Sequence, residues 1–289
     1  SASANAIIYE NASPIFIDSD PKYWTLDISI LESTIKKYKP KAIIAVDLYG
    51  QSCDYDTIID ICDKHNVLVI EDAAEAMGST YKGKKLGAFG TVGVLSFNGN
   101  KIITTSGGGM LLSQDSEYVN KAKFLSTQSR EPFLHYEHKE LGYNYRMSNL
   151  LASIGRGQLK KLDQFVKNKR TIFNRYKESL SKYDGINFLE EHKFSSSNRW
   201  LTTLTIDEKK IGFKPYEIIN ILSNENIESR PVWKPMHLQP FYKDNIYIKK
   251  GAKDISRLLF ERGLCLPSGS NLSSKEQDRI IDIIISRIK

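Results

Sequence analysis

The stretch from Ile70 to Met110, IEDAAEAMGSTYKGKKLGAFGTVGVLSFNGNKIITTSGGGM, constrains what this chain can fold into more than any other. It begins at the end of an apolar run, Val67-Leu68-Val69-Ile70. That run is too short for an independent helix and rich enough in β-branched residues to predict a buried strand. Glu71 and Asp72 follow where the strand should end. A second apolar run, Val92 to Phe97, leads into Asn98-Gly99-Asn100-Lys101, and a glycine triplet, Gly107 to Gly109, comes after it. Ligands of open α/β sheets bind at the carboxyl ends of the strands. Two strands thus deliver an acid and a lysine to one sheet edge, where glycines let a ligand approach the backbone.

The flanking sequence has the period of an α/β protein. Pro14 to Asp18 reads as a short strand, and Tyr23 to Lys39 as a polar entry into an amphipathic helix with Ile28, Leu31, Ile35 and Tyr38 on one face. Ala42 to Tyr49 is apolar almost throughout, as in a strand covered on both faces, and Gly50 breaks it. A helix over Asp56 to Asn66 then completes a parallel βαβ unit with the Val67–Ile70 strand. Further on, the pattern predicts a helix over Ser116 to Ser126 and a long loop over Glu131 to Asn144. It then predicts helix throughout Asn149 to Tyr183, with more than one helix meeting near Gly155 or Gly157. Beyond it come strands at Trp200–Ile206, Ile227–Val232 and Leu264–Leu266, and helices at Pro215–Asn224, Ala252–Arg262 and Ser273–Ile288. The expected division is a large domain over 1–183 and a small C-terminal α+β domain over 184–289, bridged by the long helix.

A carboxylate and an amine held apart on a rigid scaffold suit pyridoxal 5′-phosphate (PLP). The amine condenses with the cofactor aldehyde, and the carboxylate keeps the ring nitrogen protonated so that the ring accepts electrons. Singly, Asp72 also reads as a turn or helix cap and Lys101 as a surface lysine; their combination carries the assignment.

Several ordered motifs extend it. EDAAEAMGS, SFNGNK, GGGM, STQSRE, HYEHKELGYNYRMSN, SNRW, ESRPVWKPMH and CLPSG stand in that order from Glu71 to Gly269. Together they resemble the DegT/DnrJ/StrS family of sugar-nucleotide aminotransferases, most of all the branch making UDP-4-amino sugars on the bacillosamine route. The resemblance spans essentially the whole chain and implies the type I PLP-dependent transferase fold, with a mostly parallel sheet in the large domain. It also implies that a further portion of the family pattern, with a phosphate-holding Gly-Thr/Ser-Ala turn, precedes Ser1.

Carried over residue by residue, the resemblance makes Lys101 the cofactor-bearing and proton-moving lysine. Asp72 becomes the partner of the pyridine nitrogen and Ser96 a donor to the cofactor phosphate, although a strand-end serine satisfied by backbone fits Ser96 as well. Glu75 stands where many relatives have His or Gln, and burial next to the cofactor phenolate is expected to raise its pKa. Asn144 is implied to cross to the neighbouring subunit's cofactor phosphate, so that each site of a homodimer is shared. Arg146 then lies near donor or substrate, with a cap or salt bridge as the alternative. Arg199, Trp200, Arg230, Trp233 and His237 are the implied contacts to the substrate, Arg230 through the bidentate geometry that suits carboxylate or phosphate. The implied reaction moves an amino group from L-glutamate to the C4 ketone of a UDP-linked 4-keto-6-deoxy-N-acetylhexosamine. The alternatives are another keto-sugar nucleotide or a non-catalytic homologue. The dehydratase offshoot of the family has histidine for the lysine, and Lys101 argues against it.

Composition excludes other classes. The 289 residues are 40% hydrophobic, enough for a substantial core. Forty-one basic against 34 acidic residues leave +7, which suits an anionic nucleotide substrate or a solvated basic surface. The basic residues are scattered and form no nucleic-acid module. Cys53, Cys62 and Cys265 have no zinc spacing, His135 and His138 have no ligand partners, and no metal is expected. The sparse cysteines suit a reducing cytoplasm, and no apolar run reaches the ~20 residues of a membrane span. Gly87 to Gly93, GAFGTVG, lacks the dinucleotide-binding spacing and leads into a strand, and Lys101 lacks the context of a Walker lysine.

Overall fold

The computed structural model describes residues 1–288. Its central sheet places strands Ala42–Val46, Leu68–Asp72, Val92–Ser96 and Gly109–Leu112 side by side in that order. The first three run parallel, with Val46 opposite Asp72 and Asp72 opposite Val94, and the fourth closes the edge antiparallel. The carboxyl ends of three successive strands therefore meet at one edge. The Tyr55–Lys64 helix between the first two begins at Asp54, whose carboxylate accepts from the Thr57 N–H at 3.4 Å. It buries Tyr55, Ile58, Ile61 and Cys62.

A second sheet, antiparallel, joins Arg230–Pro231, Gly263–Leu266, Thr202–Ile206 and Ile186–Phe188. Helix Pro215–Asn224 has proline in its first turn and the Glu217 carboxylate returning to the Lys214 N–H at 2.6 Å. Helix Ser274–Ile285 has the reciprocal Ser273–Glu276 capping box. Two hydrophobic cores result. One is built on the central sheet, the other on Ile172, Phe173, Tyr176 and Leu180 against Ile206, Ile218, Leu264 and Ile281. Helix Leu162–Leu180 gives Leu162 to the first core and its second half to the other. The chain also doubles back, because Ile246–Ile248 pairs in parallel with Ile15–Ile17.

Three expectations change. The helices expected over 149–183 are Asn149–Leu159 and Leu162–Leu180, and they part at Lys160-Lys161 instead of near Gly155 or Gly157. The strand expected over Ile227–Val232 keeps only Arg230–Pro231, and the one expected to reach Tyr49 stops at Val46, where Leu48–Gly50 turns in a short 3₁₀ helix. Ala2–Tyr9 is a helix that no periodicity announces.

Candidate active site

Asp72 ends its strand with one carboxylate oxygen accepting from Ser3 Oγ at 2.6 Å and the other from the Ala74 N–H at 3.2 Å. Its neighbour Glu71 points away. Glu71 is fully buried and accepts from the backbone N–H groups of Gly87, Phe89 and Gly90, which fixes the loop leading into the next strand. One acid thus builds the sheet and the other is left at its edge. Ser96 ends the following strand, and its hydroxyl accepts from the Asn98 N–H at 3.3 Å.

The turn after Ser96 carries Lys101 into an enclosed position, its side chain 13% exposed. The amine lies 3.7 Å from Glu75 Oε1 and 4.2 Å above the centre of the Trp200 ring. Glu75 Oε2 accepts from the Tyr49 N–H at 2.7 Å, and Oε1 from the indole N–H of Trp233 at 3.3 Å. Burial pushes the Glu75 carboxyl up; the Lys101 ammonium and the two N–H donors pull against it. Tyr49 ties the cluster together, since its hydroxyl accepts from the Trp233 N–H at 2.9 Å and its ring lies against both Trp200 and Trp233. It does so with φ of 56°, a conformation that costs a non-glycine residue about 1–3 kcal/mol and persists where surrounding structure enforces it. Next to it Gly50 has φ of 86°, and a Cβ there would lie 1.9 Å from Asn198 Oδ1. Asn198 spends its amide on the carbonyls of Glu75 and Met77 and its oxygen on the Trp200 N–H.

The substrate residues expected from sequence do not all gather here. Trp233 does. Trp200 is 2% exposed and lies beneath Lys101, its indole N–H on the Asn100 carbonyl at 2.9 Å, so it packs against the amine and presents no free face to a nucleotide. Arg199 is a clearer correction. Its guanidinium is buried over Phe173 at 3.8 Å, donates to the Leu189 carbonyl and faces Glu191 at 3.7 Å. Burial brings it down to about 10, and its donors serve the fold. His237 is likewise committed, with Nε2 3.0 Å from Asp254 Oδ2 and its ring stacked on Tyr247 at 3.6 Å. Arg230 is exposed and paired with Glu228. Asn144 and Arg146 are exposed and stand off the end of helix Ser116–Ser126, where Asn144 bridges to Thr127 and the Arg146 N–H reaches the Ser126 carbonyl.

Ser3, Tyr49 and Asn198 are site residues that sequence reasoning misses. The aromatic-glycine pair ending the Ala42–Val46 strand was a usable signal for Tyr49, because parallel neighbours end at the same edge. Ser3 and Asn198 lie 69 and 126 positions from Asp72, and no local pattern marks them.

Comparison with known proteins decides the class. The profile of the DegT/DnrJ/EryC1/StrS aminotransferase family matches residues 1–285. The chain belongs to that family. EpsN of Bacillus subtilis (strain 168) is 51% identical over 98% of this chain and 74% of its own length. GDP-perosamine synthase of Escherichia coli O157:H7 is 38% identical over 95% of this chain and 73% of its own. The structure of Spr1654 from Streptococcus pneumoniae in its PLP-form superposes with a TM-score of 0.87 at 26% identity, covering 100% of this chain and 79% of that one. The chain is therefore a PLP-dependent sugar aminotransferase of type I fold. The donor set fits that cofactor: a carboxylate, a hydroxyl and an enclosed amine stand at or just beyond the ends of neighbouring strands. The relatives do not single out the bacillosamine branch.

Proposed function

We propose that this enzyme transfers the amino group of L-glutamate to the C4 ketone of a UDP-linked 4-keto-6-deoxy-N-acetylhexosamine, in the cytoplasm, as a homodimer with shared sites. The observation that carries the chemistry is the Lys101 amine held 3.7 Å from Glu75 beside the strand that ends in Asp72. PLP, when bound, supplies the electron sink and carries the amino group between donor and acceptor. Asp72 would hold the proton on the ring nitrogen, and Ser96 and the partner's Asn144 would bind the phosphate. Lys101 Nζ would hold the cofactor and would supply the base and acid for proton transfer at the reacting carbon. Glu75, raised by burial, stands 3.7 Å from that amine. Trp233, Arg230 and Arg146 are the remaining contacts assigned to donor and sugar nucleotide. We assign a large cofactor domain to 1–183 and a small domain to 184–289; helix Leu162–Leu180 reaches into the second core, and Leu189, Trp200, Val232 and Cys265 reach into the first.

A second reading, a keto sugar carried on GDP, is supported by the 38% identity to GDP-perosamine synthase. Incubation with L-glutamate and UDP- or GDP-linked 4-keto-6-deoxy sugars, followed by mass spectrometry of the nucleotide sugar, separates the two. An amino product from the UDP substrate alone is expected; turnover of the GDP substrate alone transfers the assignment to the second reading. Lys101→Ala should fold as the parent does and lose turnover entirely. After PLP addition and borohydride reduction, peptide mapping of the parent should find the pyridoxyl group on Lys101. A pyridoxyl group found elsewhere, or full turnover by the variant, refutes the lysine assignment.

A further inference from the structure

Helix Leu162–Leu180 carries a lysine, Lys169, that has no carboxylate partner among the described residues. Lys169 is 7% exposed, and its amine donates to two main-chain carbonyls, Trp200 at 2.9 Å and Ser268 at 2.7 Å. Burying a cation is expensive, and a surface lysine or a leucine at this helical position would avoid the cost. The contacts it makes are therefore informative. Trp200 is the residue whose ring lies 4.2 Å beneath the Lys101 amine and whose indole N–H holds the carbonyl of Asn100, next to Lys101 in sequence. On its other side the Trp200 N–H is held by Asn198 Oδ1 at 2.8 Å. Ser268, the second acceptor, returns its hydroxyl to the Thr202 N–H at 2.8 Å, two residues beyond Trp200. The same helix reaches the same loop again through Asn168 to the Ser270 carbonyl and Tyr176 to the Pro267 carbonyl.

We infer that Lys169 is a positioning residue for the reactive lysine. By fixing the main chain of Trp200 between the bridging helix and the Pro267–Ser270 loop, it holds the indole face under the Lys101 amine. The contact is a cation–π interaction. Glu75 lies 3.7 Å from the same amine, and Asp72 is a further charged group acting on Glu75. Around Lys169 itself the partners are carbonyls, while its neighbour Arg170 is turned to Glu191. The inference rests on Lys101 being the reactive lysine and is independent of which sugar nucleotide is the substrate.

The test reads Lys101 directly in the cofactor-free protein. Acetic anhydride labelling at pH 7, quantified by peptide mass spectrometry, gives the reactivity of each lysine. Lys169→Met and Trp200→Leu are each expected to raise the Lys101 rate about three- to ten-fold, the scale of a partly desolvated cation–π contact. The double variant should label no faster than either single one, because both remove the same contact. Rates at the exposed lysines should stay at the parental value, which separates this outcome from general loosening. Lys169→Gln, which retains a donor for one carbonyl, is expected between parent and Lys169→Met. It also serves as the fold-conserving variant should the methionine fail to fold. A parental Lys101 rate in folded Lys169→Met or Lys169→Gln, or effects that multiply in the double variant, would overturn the inference. None of these readouts involves turnover, so a wrong substrate assignment would leave them unchanged.

Discussion

Lys169 keeps its amine where charge is disfavoured, and burial alone brings it down to about 8 from an ordinary 10.5. Between those values the unfolded chain binds a proton that the folded chain does not, so stability rises with pH across the window. The sign is that of a depressed pKa: the stabilisation is complete above the unfolded value and is lost as pH falls through the folded one. The full difference is about 3 kcal/mol at 1.36 kcal/mol per unit. The neutral amine still has donors for both carbonyls, whereas methionine has none. The stability gap between parent and Lys169→Met, measured by urea unfolding, should therefore widen from pH 7 to pH 10 by about 2–3 kcal/mol. A gap that is flat or narrows with pH would show that the buried amine titrates normally. Lys169 was not legible in the sequence, and the reason is distance. Its acceptors lie 31 and 99 positions away, whereas Asp72 and Lys101 are marked by the strands that end beside them. Arg199 was misread for the complementary reason. An arginine next to a tryptophan in a family motif looks like a ligand contact, and only packing reveals that its fork is closed on Leu189 and Glu191.

At the scale of elements, the parallel unit and its crossover helix were legible because their apolar runs are long and bounded by caps or glycine. The helix at Ala2–Tyr9 was not, and the strand at Arg230 was read too long, since both are short and stabilised by what they pack on. The break in the long helical region is the instructive error. Gly155 and Gly157 looked like breakers, yet a glycine in a helix costs only about 1 kcal/mol relative to alanine, and neither ends it. Their reasons for being glycine differ. A Cβ on Gly155 would lie 2.8 Å from Thr105 Cγ2, while one on Gly157 would meet nothing within 4 Å. Gly157→Ala is thus expected to stabilise the protein by about 0.5–1 kcal/mol through helix propensity. Gly155→Ala should gain the same propensity and lose more to the contact with Thr105, on the segment that follows Lys101. Thermal melts of the two variants should move in opposite directions. Two upward shifts would show that Thr105 gives way and that close packing is not what holds glycine at 155.

For the whole molecule, the distribution of apolar surface supports the proposed dimer. Helices Ser116–Ser126 and Asn149–Leu159 bury none of their residues, although Tyr118, Val119, Leu150 and Ile154 lie on them. The loop between them exposes Leu134, Tyr136, Leu141 and Tyr145, each by more than 70%. Exposed apolar side chains in this number mark an interaction face, and Asn144 and Arg146 are exposed in the same stretch of chain. An isologous contact would bring the Asn144 of each subunit toward its partner. This arrangement makes a quantitative prediction. Lys101→Ala and Asn144→Ala should each be inactive alone, one lacking the amine and the other the phosphate contact. Mixed in equal amounts under subunit exchange, half of the dimers are hybrids, and each hybrid has one site with both residues intact. Activity should then recover to about a quarter of the parental value per subunit, and Leu150→Glu, placed on the apolar face of either partner, should prevent the recovery. Mixed samples that exchange subunits, as seen by native mass spectrometry, yet stay inactive would mean that Asn144 serves its own chain and that the site is not shared.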